Sequence, residues 1–135
     1  MKNELTREFL RNLLDECGFV TRIDKEGDIC ALLDADDDFP HDVVLYFLIR
    51  EGWMGMHAFV PDWNLNLTPE QQFHIENRFN SERKLPKLYF RDDTLILEHW
   101  IVIESNFSKT FIINSIKYLT GIFWKSFYLL KDIDK

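Results

Sequence analysis

Asp34, Asp36 and Asp38 stand at positions one, three and five of what could be a calcium loop, the spacing at which carboxylates converge on a hard cation. The loop fails at its other fixed points, because position six is Phe39 where a sharp turn needs Gly and position twelve is Leu45 where a bidentate Glu belongs. The three aspartates therefore read as a solvated acidic turn. His41, His57, His74 and His99 are scattered, without a His-Glu-x-x-His pair or the Cys and His spacing of a zinc site, so no metal is predicted. Cys17 and Cys30 form no Cys-x-x-Cys motif and read as two reduced, packed thiols. There is no Gly-x-Ser-x-Gly elbow, no phosphate loop and no dinucleotide fingerprint among five dispersed glycines. No cofactor and no catalytic residue are predicted, and the chain reads as a non-enzyme. The competing reading is a small enzyme or ligand-binding protein with an acidic cleft, in which Glu98 and Glu104 meet Asp or His residues across a sheet.

Binding chemistry is better represented than catalysis. The 135 residues include twelve Phe, four Trp and four Tyr, more aromatic area than one core readily hides. Trp53, Met54, Met56 and Phe59 lie on one predicted strand with Trp63 just beyond it, and aromatic and Met side chains are enriched where proteins bind proteins. Strand alternation separates Trp53, Gly55, His57 and Phe59 from Met54, Met56 and Ala58, so at least one large side chain is exposed or lies under a helix. With 16 Lys and Arg against 23 Asp and Glu the net charge is −7, and no basic patch exists to neutralise a phosphate backbone; nucleic acid is excluded as a partner. The first residues lack the apolar core of a signal peptide, and charges interrupt every apolar run short of a membrane span, which predicts a cytoplasmic protein without membrane contact.

The elements that hold these side chains can be placed from local signals. Leu5, Phe9, Leu10, Leu13, Leu14 and Cys17 recur at helical spacing before Gly18, predicting a helix over about 3–17. Two strands, near 19–24 and 28–34, flank the turn Lys25-Glu26-Gly27-Asp28. The unbroken apolar run Val43 to Ile49 predicts a central strand covered on both faces, and Glu51-Gly52 turns it into the strand that starts at Trp53. Thr68-Pro69-Glu70-Gln71 is a capping box with Pro in the first helical position. The helix it opens should run to about Glu82 or Arg83, reach the core through Phe73 and Ile75 or Phe79, and stop before Pro86. Leu88 to Phe90 and Thr94 to Glu104 then form a hairpin across Arg91-Asp92-Asp93. Ile112, Ile116, Leu119, Phe123, Phe127 and Leu130 mark one stripe of a last helix after Ser105. Phe107, Phe111, Ile113, Tyr118, Ile122 and Trp124 widen that stripe, so the helix needs cover on two sides: it is sunk in its own domain, or shared with a partner through residues such as Phe123 and Phe127. The chain thus reads as one α+β domain, an antiparallel sheet of five to six strands with three helices.

Asn77-Arg78-Phe79-Asn80, Lys84-Leu85-Pro86-Lys87-Leu88-Tyr89-Phe90, Asp92-Asp93 and Leu95-Ile96-Leu97-Glu98, in that order, resemble the YbjN family of candidate bacterial sensory transduction regulators. The resemblance spans roughly Leu5 to Leu130 and implies a fold like that of type III secretion chaperones. It departs at Phe79, where the family typically carries Trp, and at Asp92-Asp93, which lacks the usual Gly. It implies a regulatory or chaperone-like role with no defined reaction and no catalytic residues. The partner would be a protein client or a second copy of the chain. Within the motif, Asn77 and Asn80 suit a helix end whose side chains bond to backbone groups near the next strand. The functional alternative is a groove lined by Asn77, Asn80 and Lys84.

Overall fold

The computed structural model describes residues 5–61, 63–104 and 106–133. Helix α1 (Arg7–Glu16) starts where the Thr6 hydroxyl accepts a hydrogen bond from the Phe9 amide at 3.0 Å, and it buries Leu10, Leu13 and Leu14. Residues 3 and 4 of the predicted helix lie outside the described residues. Strands β1 (Thr21–Ile23) and β2 (Ile29–Leu33) are joined by a turn in which one oxygen of Asp24 accepts from the amides of Glu26 and Asp28, while Gly27 takes φ +84°. Strands β3 (Val43–Arg50) and β4 (Trp53–Phe59) form the next hairpin. Helix α2 (Pro69–Glu82) carries the full capping box: the Gln71 amide donates to the Thr68 hydroxyl and the Thr68 amide to the Gln71 side chain. Strands β5 (Lys87–Arg91) and β6 (Thr94–Val102) follow, turned by Asp92 at φ +55°, so an Asp takes the left-handed position that Gly more often fills. The last helix, α3 (Lys109–Leu130), is capped by the Ser108 hydroxyl.

The six strands form one antiparallel sheet in the order β1-β2-β3-β4-β6-β5. Ile29 and Ala31, Val43, Leu45 and Phe47, Met54, Met56 and Ala58, and Leu95 and Leu97 alternate onto one face. They form a single cluster with the buried stripes of the helices. The stripe on α3 is the one that its periodicity predicts, Ile112 through Leu130 in steps of three and four.

Three expectations are corrected. Val43 to Ile49 is not covered on both faces: Val43, Leu45 and Phe47 are buried while Val44, Tyr46 and Leu48 are only half-buried, because the core cluster uses one face of the sheet. Phe73 is 63% exposed, since α2 is rotated to bury Phe79 and lean Ile75 on the core. The sixth strand stops at Val102, short of Glu104. Cys17 and Cys30 are unpaired and half-buried.

At the β5 edge, α2 does more than pack. The Asn80 amide group donates to the Leu88 carbonyl and its oxygen accepts from the Leu88 amide, both at 2.8 Å, and Glu76 accepts from the Phe90 amide at 2.8 Å. Side chains of the helix thereby satisfy backbone groups of the outermost strand that have no neighbouring strand to pair with.

Candidate partner-binding face

The alternation that sends Met54, Met56 and Ala58 into the core turns Trp53, Gly55, His57 and Phe59 to the opposite face, away from the core cluster. Register fills in their neighbours. His57 stands between Tyr46 and Glu98, Gly55 between Leu48 and Trp100, and Trp53 between Arg50 and Val102. The Tyr46 and Phe59 rings stack with centroids 6.0 Å apart and planes 13° from parallel. The Trp100 indole lies on Gly55 so closely that a Cβ there would sit 2.7 Å from three of its ring atoms. This is the strand position at which only Gly permits the approach.

A polar network ties the aromatics together. The Trp100 Nε1–H donates to Glu98 Oε1 at 2.6 Å. Burial and the neighbouring Glu98 carboxylate push the Tyr89 phenol up to about 12. His57 Nε2 lies 3.5 Å from Glu98 Oε2, beyond a good hydrogen bond, and its ring meets Trp100 edge-to-face at 5.8 Å. Burial pulls the His57 imidazole below its ordinary value, against the opposing pull of Glu98, so the ring is neutral at pH 7.

The face is concave. A hollow of about 640 Å³ is walled by Tyr46, Phe59 and Trp100, with Arg50 and Arg91 on its border and the β1–β2 turn as its acidic rim. In that turn the carboxylates of Asp24, Glu26 and Asp28 lie within 4.8 Å of one another. Asp24 already spends one oxygen on two turn amides, so the grouping has a structural cause of its own. The Asp34–Asp38 segment is likewise held by its own backbone, Asp36 accepting from the amides of Asp38 and Phe39.

The structure separates the residues that the sequence singled out for partner binding. Trp53 is 45% exposed and Phe59 half-buried on the open face. Met54, Met56, Phe123 and Phe127 are fully buried and present no surface to a partner as folded, because their strand phase and helix stripe face the core. Trp63 packs against Phe39, His41 and Phe127 as a half-buried edge of that core. Asn77, Asn80 and Lys84 do not share a groove: the Asn80 amide is committed to Leu88, whereas Lys84 lines a separate hollow against α3. Tyr46, Leu48 and Trp100 were missed. Gly55 amid large residues was the available signal, since a strand glycine marks a place where something comes close.

No family model matches the sequence, and no curated protein matches it. Among solved structures, the crystal structure of YbjN from E. coli, a candidate transcription regulator, superposes with a TM-score of 0.70 over 97% of this chain and 95% of that one. The fold is YbjN-like. The expected three helices and antiparallel sheet are thus both seen directly and shared with a known structure. At 11% sequence identity the YbjN likeness speaks for the fold alone. No helix among the described residues is long and apolar enough to cross a membrane.

Proposed function

We propose that this YbjN-like chain is a non-catalytic protein-binding module with a regulatory or chaperone-like role, and that it binds a client protein or a second copy through the open face of its sheet. The observation that carries this reading is the composition of that face. Leu32, Trp53 and Val102 are exposed on it beside half-buried Tyr46, Leu48, Phe59 and Trp100. Soluble chains rarely leave an apolar sheet surface of this kind without a use for it. The description of the YbjN neighbour as a candidate regulator supports a role without catalysis. A net charge of −7 favours regulation through protein contacts over contacts with nucleic acid.

The test combines light scattering at high micromolar concentration with affinity capture from native cytosol, each repeated with Trp53→Ala and Leu32→Lys. The substitutions should abolish a dimer or remove a captured protein. A monodisperse monomer whose captured set is unchanged by either substitution would refute the reading.

One observation favours a second reading, small-ligand binding or catalysis in an acidic cleft: the aromatic hollow does have carboxylates on its rim. A small molecule that protects the chain against thermal unfolding, with the effect lost in Tyr46→Ala, would favour it over protein binding.

A further inference from the structure

A second surface lies on the helical side of the molecule. Between the end of α2 and the outer flank of α3 is a hollow of about 330 Å³ bordered by Arg83, Lys84 and Lys125 and floored by Tyr118, Ile122 and Leu129. Tyr118 is 65% exposed and Leu129 50% exposed, although both sit on a helix whose other side is core. These side chains recur at spacings of four and seven along α3, so they form one apolar line about 16 Å long at 1.5 Å per residue.

The charge on this groove runs against the charge of the chain. A protein of net −7 here gathers three cations, and no Asp or Glu among the described residues lines the hollow. Arg83 is occupied, its guanidinium over the Phe79 ring and 3.7 Å from Glu82. Lys84 and Lys125 are exposed and make no ion pair among the described residues.

The geometry points to a docking groove for an acidic amphipathic peptide segment of a partner protein. Its apolar side chains, spaced as on one face of a helix, lie along Tyr118, Ile122 and Leu129, and its Asp or Glu residues meet Lys84 and Lys125. Charge complementarity selects this occupant. An anionic membrane would be repelled by the rest of the chain, whose net charge is −7, and nucleic acid would find three cations where a phosphate track needs many more. The site is separate from the open sheet face and does not depend on that face having a partner.

The test is selection from a random twelve-residue peptide library on the whole chain, with affinities of the selected peptides measured by fluorescence anisotropy. Selected peptides should combine acidic residues with apolar ones at helical spacing. Their binding should weaken at least tenfold in Lys84→Glu/Lys125→Glu, weaken with added salt, and stay unchanged in Trp53→Ala. Both lysines are exposed, so the double variant should fold; unchanged circular dichroism checks this, and the milder Lys84→Ala should weaken binding in the same direction. The inference is overturned if no peptide is selected, if the selected peptides are basic or uncharged, or if the lysine variant binds them as well as the parent does. It is also overturned if the lysine pair instead governs sedimentation with phosphatidylglycerol vesicles or self-association in light scattering. Failure at Trp53 would sink the sheet-face reading and leave this groove standing, and the reverse holds equally.

Discussion

Replacing Gly55 by Ala adds one methyl group, and the structure says where it must go. The new Cβ would lie 2.7 Å from three atoms of the Trp100 indole, well inside contact distance. Relief can come in two ways. Either the strand and ring shift as an overpacked site does, costing about 1–3 kcal/mol, or the indole swings off the sheet and gives up its 2.6 Å bond to the Glu98 carboxylate, a loss of about 1.5–3 kcal/mol for a bond to a charged group. Against this stands a gain of about 0.5–1 kcal/mol, since Ala loses less backbone freedom on folding than Gly. The net expectation is a loss of about 1–2 kcal/mol, or roughly 3–8 °C in melting temperature for a domain of this size. The same substitution in a Trp100→Ala background meets no ring, and there it should be neutral or stabilise by up to about 1 kcal/mol. Urea unfolding followed by circular dichroism at 222 nm, which does not rely on the deleted indole, measures all four corners of the cycle. Equal effects of Gly55→Ala in both backgrounds would refute the claim that Trp100 is what this glycine accommodates.

Asn80→Ala removes both bonds to Leu88 and should cost about 1–3 kcal/mol, with faster hydrogen exchange at the Leu88 amide. Phe123→Ala should cost about 3–5 kcal/mol as a fully buried ring, whereas Trp53→Ala should stay near the ~0.5 kcal/mol of an ordinary surface change; denaturant midpoints rank the two, and equal costs would contradict the assignment of Phe123 to core and Trp53 to surface. His57 and His99 are both lowered by burial, so the unfolded chain, with imidazoles near 6.5, binds protons that the folded chain resists. Stability should therefore be full above about pH 7 and fall as pH drops through 6.5 towards the lower folded values, and His57→Gln should flatten that slope in unfolding curves taken from pH 7.5 to 5.5.

Local chemistry made most of the element order readable. The Thr68 capping box, the turn at Lys25 to Asp28 and the spacing of Ile112 through Leu130 each act within a few residues, and all three appear where the sequence put them. What failed was the sense of facing. Val44, Tyr46 and Leu48 are as apolar as Val43, Leu45 and Phe47, so no polar period betrayed that one side of β3 is open. In α3 the spacing marked the stripe that is buried, Phe123 with it, but not whether that stripe is covered by its own domain or by a partner. The site suffered most, because the approach of Trp100 to Gly55, and the sharing of one hollow by Lys84 and Lys125, are made only by the tertiary fold. The sequence places Glu26 and Asp28 in the turn Lys25-Glu26-Gly27-Asp28 and Asp24 at the end of the strand before it, and only the folded turn brings the three carboxylates together on the rim of the hollow.

The helix that seals β5 has a consequence for how this protein can fail. An uncovered outer strand is a template on which another chain can crystallise strand upon strand, and here two side chains of α2 occupy the positions that an incoming backbone would take. Asn80 and Glu76 act as a chain terminator for the sheet. Growth into fibrils is blocked at that end by a helix that would first have to unwind, and at the other end the sheet finishes in β1, a strand of three residues that offers little length to copy.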